Sequence, residues 1–184
     1  MAIWLIVLLV LIGLFLIIIL TVYNGLIRLR NRVKNAWSQI DVQLKKRYDL
    51  LPNLIETVKG YMKHEASTFQ KITELRSQAM NAKDQALKVK ANNELTNALG
   101  QLKVAFENYP DLKASQNFLM LQEELSGIEN KIAFARQFYN DSVMIFNNKI
   151  EMFPSNIIAN MFNFDAKEFF EAPELEKKNI KVSF

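Results

Sequence analysis

No charged side chain occurs between Ala2 and Val22, a run of 21 residues made almost wholly of Leu, Ile, Val and Phe. Only Gly13 and Thr21 interrupt its apolar character. As a helix it spans about 32 Å, close to the hydrocarbon thickness of a bilayer. It is apolar on every face, so it has no polar stripe to turn toward water. A cleaved signal peptide needs a basic start, a shorter apolar core and a small-residue cleavage site. The run has no leading Lys or Arg and continues directly into Tyr23-Asn24-Gly25, which favours a retained anchor.

Arg28, Arg30, Arg32 and Lys34 follow the run at once, and Lys45, Lys46 and Arg47 come next. By the positive-inside rule this places the basic side in the cytoplasm, with an extracytoplasmic domain as the alternative. The basic run also admits headgroup binding, since cations near an anionic surface contribute about 1 kcal/mol each. The net charge of +4 is weak and no aromatic groove signature accompanies it, which argues against nucleic acid. The chain has no cysteine, which excludes disulfides, thiolate metal sites, a cysteine nucleophile and a lipidated cysteine.

Beyond the run, Leu26, Leu29, Val33, Trp37, Ile40, Leu44 and Leu51 recur mostly at steps of three and four, one face of a helix. The anchor is therefore expected to continue as one helix from Ala2 to about Leu51, roughly 75 Å long. Pro52 is expected to end it in a tight turn near Asp49–Pro52, with a kink in a longer helix as the alternative. A second helix is predicted from Pro52 to about Ala82, with Ile55, Val58, Met62, Phe69, Ile72 and Ala79 on its stripe. Asp84 can cap a third, running to about Asn108, with Ala91, Leu95, Ala98, Leu102 and Ala105 aligned. After Asn108-Tyr109-Pro110-Asp111 a fourth is predicted from Pro110 to about Met152. Phe118, Leu121, Leu125, Ile128, Ile132, Ala135, Tyr139, Ser142 and Phe146 there keep the spacing of left-handed bundle packing.

The pattern predicts an all-α fold: an N-terminal transmembrane helix continuous with an antiparallel up-down four-helix bundle of long helices. The expected division is an anchor at 1–22, a bundle at 23–153, and a short amphipathic helix with an irregular tail at 154–184. In an up-down topology the fourth helix returns toward the membrane. Ile157, Ile158, Met161, Phe162, Phe164, Phe169 and Phe170 then become candidates for a membrane-proximal or oligomer contact, with packing over the open end of the bundle as the plainer reading.

Tyr23-Asn24-Gly25-Leu26, the stretch Arg30-Asn31-Arg32-Val33-Lys34-Asn35-Ala36-Trp37-Ser38-Gln39-Ile40-Asp41-Val42-Gln43-Leu44, and Arg47-Tyr48-Asp49-Leu50-Leu51-Pro52-Asn53-Leu54 closely resemble the LemA family. So do Val58-Lys59-Gly60-Tyr61, Tyr109-Pro110-Asp111-Leu112-Lys113, Ala135-Arg136-Gln137-Phe138-Tyr139-Asn140 and Phe153-Pro154-Ser155-Asn156. The resemblance implies a bacterial membrane protein with an antiparallel helical bundle and does not imply an enzyme. Some relatives resemble lipoproteins with a cysteine just before the Tyr-Asn motif, where this chain has Val22.

Catalytic constellations are weak. His64 stands in Lys63-His64-Glu65-Ala66-Ser67, but position 68 is Thr, so the second histidine of a zinc HExxH site is missing. His64 is expected to be a solvated helix residue. Glu123, Glu124 and Glu129 are expected to be outward charges, since buried unpaired Glu is rare. No cofactor, metal or catalytic residue is assigned. The expectation is a non-enzymatic, membrane-anchored helical scaffold that self-associates and organises the bilayer or other membrane proteins. The alternative is a sensor or ligand-binding bundle.

Overall fold

The protein is represented by a computed structural model, which describes residues 2–171. Among these residues every regular element is helical and no strand occurs. Helix α1 runs from Ala2 to Lys59, α2 from Ala66 to Asn81 and α3 from Gln85 to Ala105. A 3-10 turn at Phe106–Asn108 leads to a single turn, α4, at Pro110–Lys113, followed by α5 at Gln116–Glu151 and α6 at Ser155–Met161. The irregular tail expected at the end of the chain lies, from residue 172 on, outside the described residues. Two compact units divide the chain, and α1 and α5 each contribute to both.

The first unit comprises the chain up to Gln39 and Ala135–Phe169. Its α1 segment begins with the apolar run, none of which is buried and which is long and apolar enough to cross a membrane. From Leu26 onward the helix buries one face, Leu26, Val33 and Ala36. Ala135, Tyr139, Ser142, Val143 and Phe146 of α5 are also buried, with Ile158, Ala159 and Phe164. The rings of Trp37 and Tyr139 meet edge-on at 5.4 Å. Helix α6 stops in a Schellman motif: Asn163 takes a left-handed φ of 54°, its N–H donates to Asn160 O, and Phe164 N–H reaches back to Ala159 O at 2.9 Å. The short Asn side chain tolerates that conformation, and the motif turns the Phe164 ring inward. Asn147 then clamps the segment that follows, accepting from Lys167 N–H and donating to Lys167 O, both at 2.9 Å.

The second unit comprises Ile40–Phe134 with Phe170 and Glu171. Its core takes Ile40, Leu44, Leu51, Leu54 and Val58 from α1, and Phe69, Ile72, Leu75 and Ala79 from α2. Ala91, Leu95, Ala98 and Leu102 come from α3, and Ile128 and Ile132 from α5. Asp84 caps α3 as the sequence suggests, its Oδ1 accepting from Leu87 N–H at 2.7 Å. The rings of Phe106 and Phe118 close the corner at 4.8 Å, edge to face.

Two expectations are corrected here. Pro52 does not end the first helix. It lies inside α1, which continues to Lys59, and the turn falls at residues 60–65. The expected second helix is thus split between the end of α1 and α2. A proline inside a helix has no N–H to give the carbonyl four residues back, here that of Tyr48. That carbonyl is not orphaned, because Arg76 Nε of α2 donates to it at 2.6 Å. A charge-assisted bond from a neighbouring helix replaces the missing backbone bond, so helical geometry survives the proline. The predicted fourth helix is also interrupted, since Ala114 and Ser115 separate α4 from α5.

The substitution Arg76→Leu is expected to cost about 1–3 kcal/mol in urea unfolding, the cost of an unsatisfied buried acceptor. In a Pro52→Ala background the same substitution will cost less, because an alanine at position 52 restores the backbone donor to Tyr48 O. Equal costs in the two backgrounds would refute the compensation.

Candidate functional site

The helical stripe read from the sequence steps from Ile40 to Leu44 and then jumps to Leu51. Arg47 fills the gap at helical spacing, and its side chain is buried, only 1% exposed. A buried guanidinium must be paired and hydrogen-bonded, and both Nη atoms of this one are, while its buried Nε has no hydrogen-bond partner among the described residues. Its Nη1 donates to Glu129 Oε1 at 3.0 Å and Oε2 at 3.2 Å on α5, and to Thr96 Oγ1 at 3.1 Å on α3. Its Nη2 donates to Asn92 Oδ1 at 2.7 Å. The same Asn92 Oδ1 accepts from Tyr48 Oη at 2.9 Å, and Asn92 Nδ2 donates to Lys88 O at 2.8 Å. The Thr96 hydroxyl donates to Asn92 O at 3.0 Å. Lys88 Nζ meets Asp41 Oδ1 at 2.9 Å. Three helices of the second unit therefore share one polar knot, to which Arg76 adds α2 through the Tyr48 carbonyl.

Burial pushes the Tyr48 hydroxyl above its ordinary value of 10.0; the Asn92 hydrogen bond and the Arg47 charge pull the other way. In the first unit, burial likewise raises Tyr139, and the Glu168 carboxylate adds to it. The Tyr139 hydroxyl donates to Glu168 O at 3.0 Å.

Glu129, expected among the outward charges, is corrected by the fold. Its carboxylate turns to Arg47 and stays only 35% exposed, while Glu123 and Glu124 are exposed. The basic cluster Lys45-Lys46-Arg47 also divides, with Lys45 and Lys46 exposed and Arg47 in the core. The gap in the apolar stripe is the sequence signal for Arg47. Nothing local marks Asn92, Thr96 or Glu129 as its partners. His64, expected on a helix, is exposed in the turn between α1 and α2. Among the described residues no group of His, Cys, Asp or Glu is disposed to hold a metal ion. An open hollow of about 800 Å³ on the second unit is lined by Ile55, Glu56, Lys59, Phe69, Gln70 and Glu74 among others. Its charged lining is of both signs, Glu56 and Glu74 with Lys59 and Lys63.

The basic residues of the first unit, Arg28, Arg30, Arg32 and Lys34, are all exposed. Two of them lie on aromatic faces, Arg30 over the Phe164 ring and Arg32 over the Phe138 ring, each at 5.3 Å. Tyr23, directly after the apolar run, meets Phe162 at 4.7 Å and Phe164 at 5.9 Å. Phe164 in turn lies 6.4 Å from Phe146. The aromatic and apolar residues singled out in the sequence separate into two sets. Ile158, Phe164 and Phe170 are buried, whereas Ile157, Met161, Phe162 and Phe169 are exposed.

An exposed apolar helix of spanning length, leading into buried helical cores, defines an all-helical membrane-associated protein. A model of the LemA family matches residues 36–184. The chain is 32% identical to Protein LemA of Metamycoplasma hominis, over 94% of this chain and 79% of that protein. It is also 22% identical to Magnetosome protein MamQ 2 of Paramagnetospirillum magneticum, over 85% of this chain and 67% of that protein. Magnetosome protein MamQ of Magnetospirillum gryphiswaldense shows the same identity and coverage. The chain belongs to the LemA family.

Truncating Arg47 to Ala is expected to cost about 3–5 kcal/mol, because it strips Glu129, Thr96 and Asn92 of their common partner. Arg47→Met, which keeps the volume, will cost less. Denaturant melts of both variants check the order. A second expectation concerns alkali. Below about pH 10 both tyrosines are protonated, folded or unfolded. Above it the unfolded chain ionises first, so stability falls as pH rises toward the raised folded values. Tyr48→Phe and Tyr139→Phe will each flatten that fall in unfolding midpoints taken across the alkaline range.

Proposed function

We propose that the chain is a non-enzymatic scaffold of the bacterial inner membrane, which self-associates and organises lipid or partner membrane proteins. The observation that carries this reading is helix α1, which runs without a break from the apolar run to Lys59. An anchor that shares a helix with the folded part transmits position and orientation; a flexible tether would not. The charged groups around Arg47 are spent on one another, which suits a brace rather than a site poised for chemistry.

The helices form an antiparallel bundle in this reading. Within the first unit, support comes from the ring contacts of α1, where Trp37 pairs with Tyr139 and the earlier Tyr23 pairs with the later Phe162. The exposed basic collar after the span favours a cytoplasmic bundle by the positive-inside rule, and suits anionic headgroups. Exposed Phe134, Met120 and Leu119 on α5 offer apolar surface for a second copy or a partner helix.

Full-length protein extracted in mild detergent is expected to run as a homo-oligomer by light scattering. Its assembly in vesicles will strengthen with anionic lipid and weaken when Arg28, Arg30, Arg32 and Lys34 are changed to Gln together. A strict monomer that is indifferent to lipid charge would sink the proposal. Protease added to intact spheroplasts is expected to leave the helical domain uncut.

A further inference from the structure

The first unit has a second uncharged stretch. From Met152 to Phe164 no residue carries a charge, and the stretch is bounded by Glu151 and Asp165. It contains α6, whose faces differ: Ile158 and Ala159 are buried, while Ile157 and Met161, four residues apart and so on one side, are exposed. Phe162 and Phe153 are exposed beside them, Phe153 by 80%. Water is a poor environment for four large apolar side chains in so short a segment.

The position of this stretch argues for what covers it. The Phe162 ring touches Tyr23, the first residue after the apolar run. A tyrosine at that point is the residue expected at the headgroup level of a membrane. The register of the helices agrees. Trp37 meets Tyr139, and stepping about four turns back along α1 reaches Tyr23, while just over three turns forward along α5 reaches its end at Glu151, two residues before Phe153. The exposed polar residues of the stretch beside them are Asn160 and Asn163, neutral groups that can remain in the headgroup zone. Arg30, stacked on Phe164, brings a cation to the same place.

We propose that α6 and its flanking aromatics form an in-plane anchor at the membrane interface. Phe153, Ile157, Met161 and Phe162 enter the boundary between headgroups and acyl chains beside the spanning helix. The collar Arg28, Arg30, Arg32 and Lys34 meets lipid phosphates just above. The protein is then held to the bilayer at two points, by a helix that crosses it and a short helix that lies on it, a fixation in tilt that one span does not give. This rests on the membrane-anchored reading above and adds a second lipid contact to it.

The chain lacks cysteine, so single variants can be labelled without background. Ile157→Cys, Met161→Cys, Met144→Cys and Ile12→Cys in the full-length protein are each coupled to an environment-sensitive fluorophore. All are reconstituted in phosphatidylcholine–phosphatidylglycerol vesicles carrying lipids spin-labelled at shallow or deep acyl positions. Labels at 157 and 161 are expected to be quenched severalfold more than the label at 144, and most by the shallow probe. The label at 12 is expected to be quenched by the deep probe. If 157 and 161 behave like 144 while 12 is quenched, the in-plane anchor is overturned and the spanning anchor stands. If 12 is unquenched as well, the membrane-anchored reading fails with it. If Ile157→Cys forms an intermolecular disulfide in high yield and its label is shielded from every lipid probe, the face is an interface between copies and the proposal is likewise overturned.

Discussion

A guanidinium that cannot reach water organises the second unit. Arg47 occupies a position on α1 where helical spacing calls for an apolar side chain, so the surrounding helices must supply its partners. Asn92 and Thr96 stand one turn apart on α3, and Glu129 faces them from α5. An apolar contact tolerates sliding by a fraction of a turn, whereas a fork of directed hydrogen bonds does not. The knot thus sets the register of α1 against α3 and α5 more narrowly than Leu44, Leu51, Leu95 or Ile132 do. Such pairs are poor sources of net stability and costly to break, which makes register their best physical account.

The neighbouring residue shows the same logic in the backbone. Tyr48 gives its hydroxyl to Asn92 and its carbonyl to Arg76. The carbonyl is available because Pro52 has no N–H to offer it. Arg47, Tyr48 and Pro52 sit within two turns of α1, and their partners come from α2, α3 and α5. One short stretch of sequence therefore specifies where three other helices dock, within a single unit.

Much of this is legible in the sequence. The uncharged run, the Asp84 cap, and the buried faces through Phe69, Ile72 and Ala79 or Ala91, Leu95 and Leu102 follow from local chemistry and periodicity. Pro52 misleads because its effect on a helix depends on whether another group takes the stranded carbonyl, and Arg76 lies 28 positions from Tyr48. Glu129 misleads for a related reason. A lone glutamate on a long helix is outward by default, and only the buried cation across from it reverses that. The basic collar is visible as charge, but that Arg30 and Arg32 rest on Phe164 and Phe138 requires the fold of the first unit. The exposed and buried halves of the aromatic segment are inseparable by composition, since the Schellman turn at Asn163 decides which way Phe164 points.

Helix α1 gives these particulars a common consequence. Residues up to Gln39 carry the spanning run and the collar, and residues after it carry Arg47 and Pro52, yet the backbone is one uninterrupted helix. A helix of 58 residues in water is stable only where its apolar faces are covered. The described cores cover it from Leu26 onward, and none of the described residues covers the run before it. In the membrane-anchored reading proposed above, a bilayer supplies that cover. It also removes the competition of water for the backbone of the run, where an unpaired amide costs several kcal/mol. The segment with the fewest protein contacts is then among the least free to fray. Arg76 guards the point where the same helix is weakest. In that reading, lipid toward one end and a single side chain toward the other together keep α1 one helix.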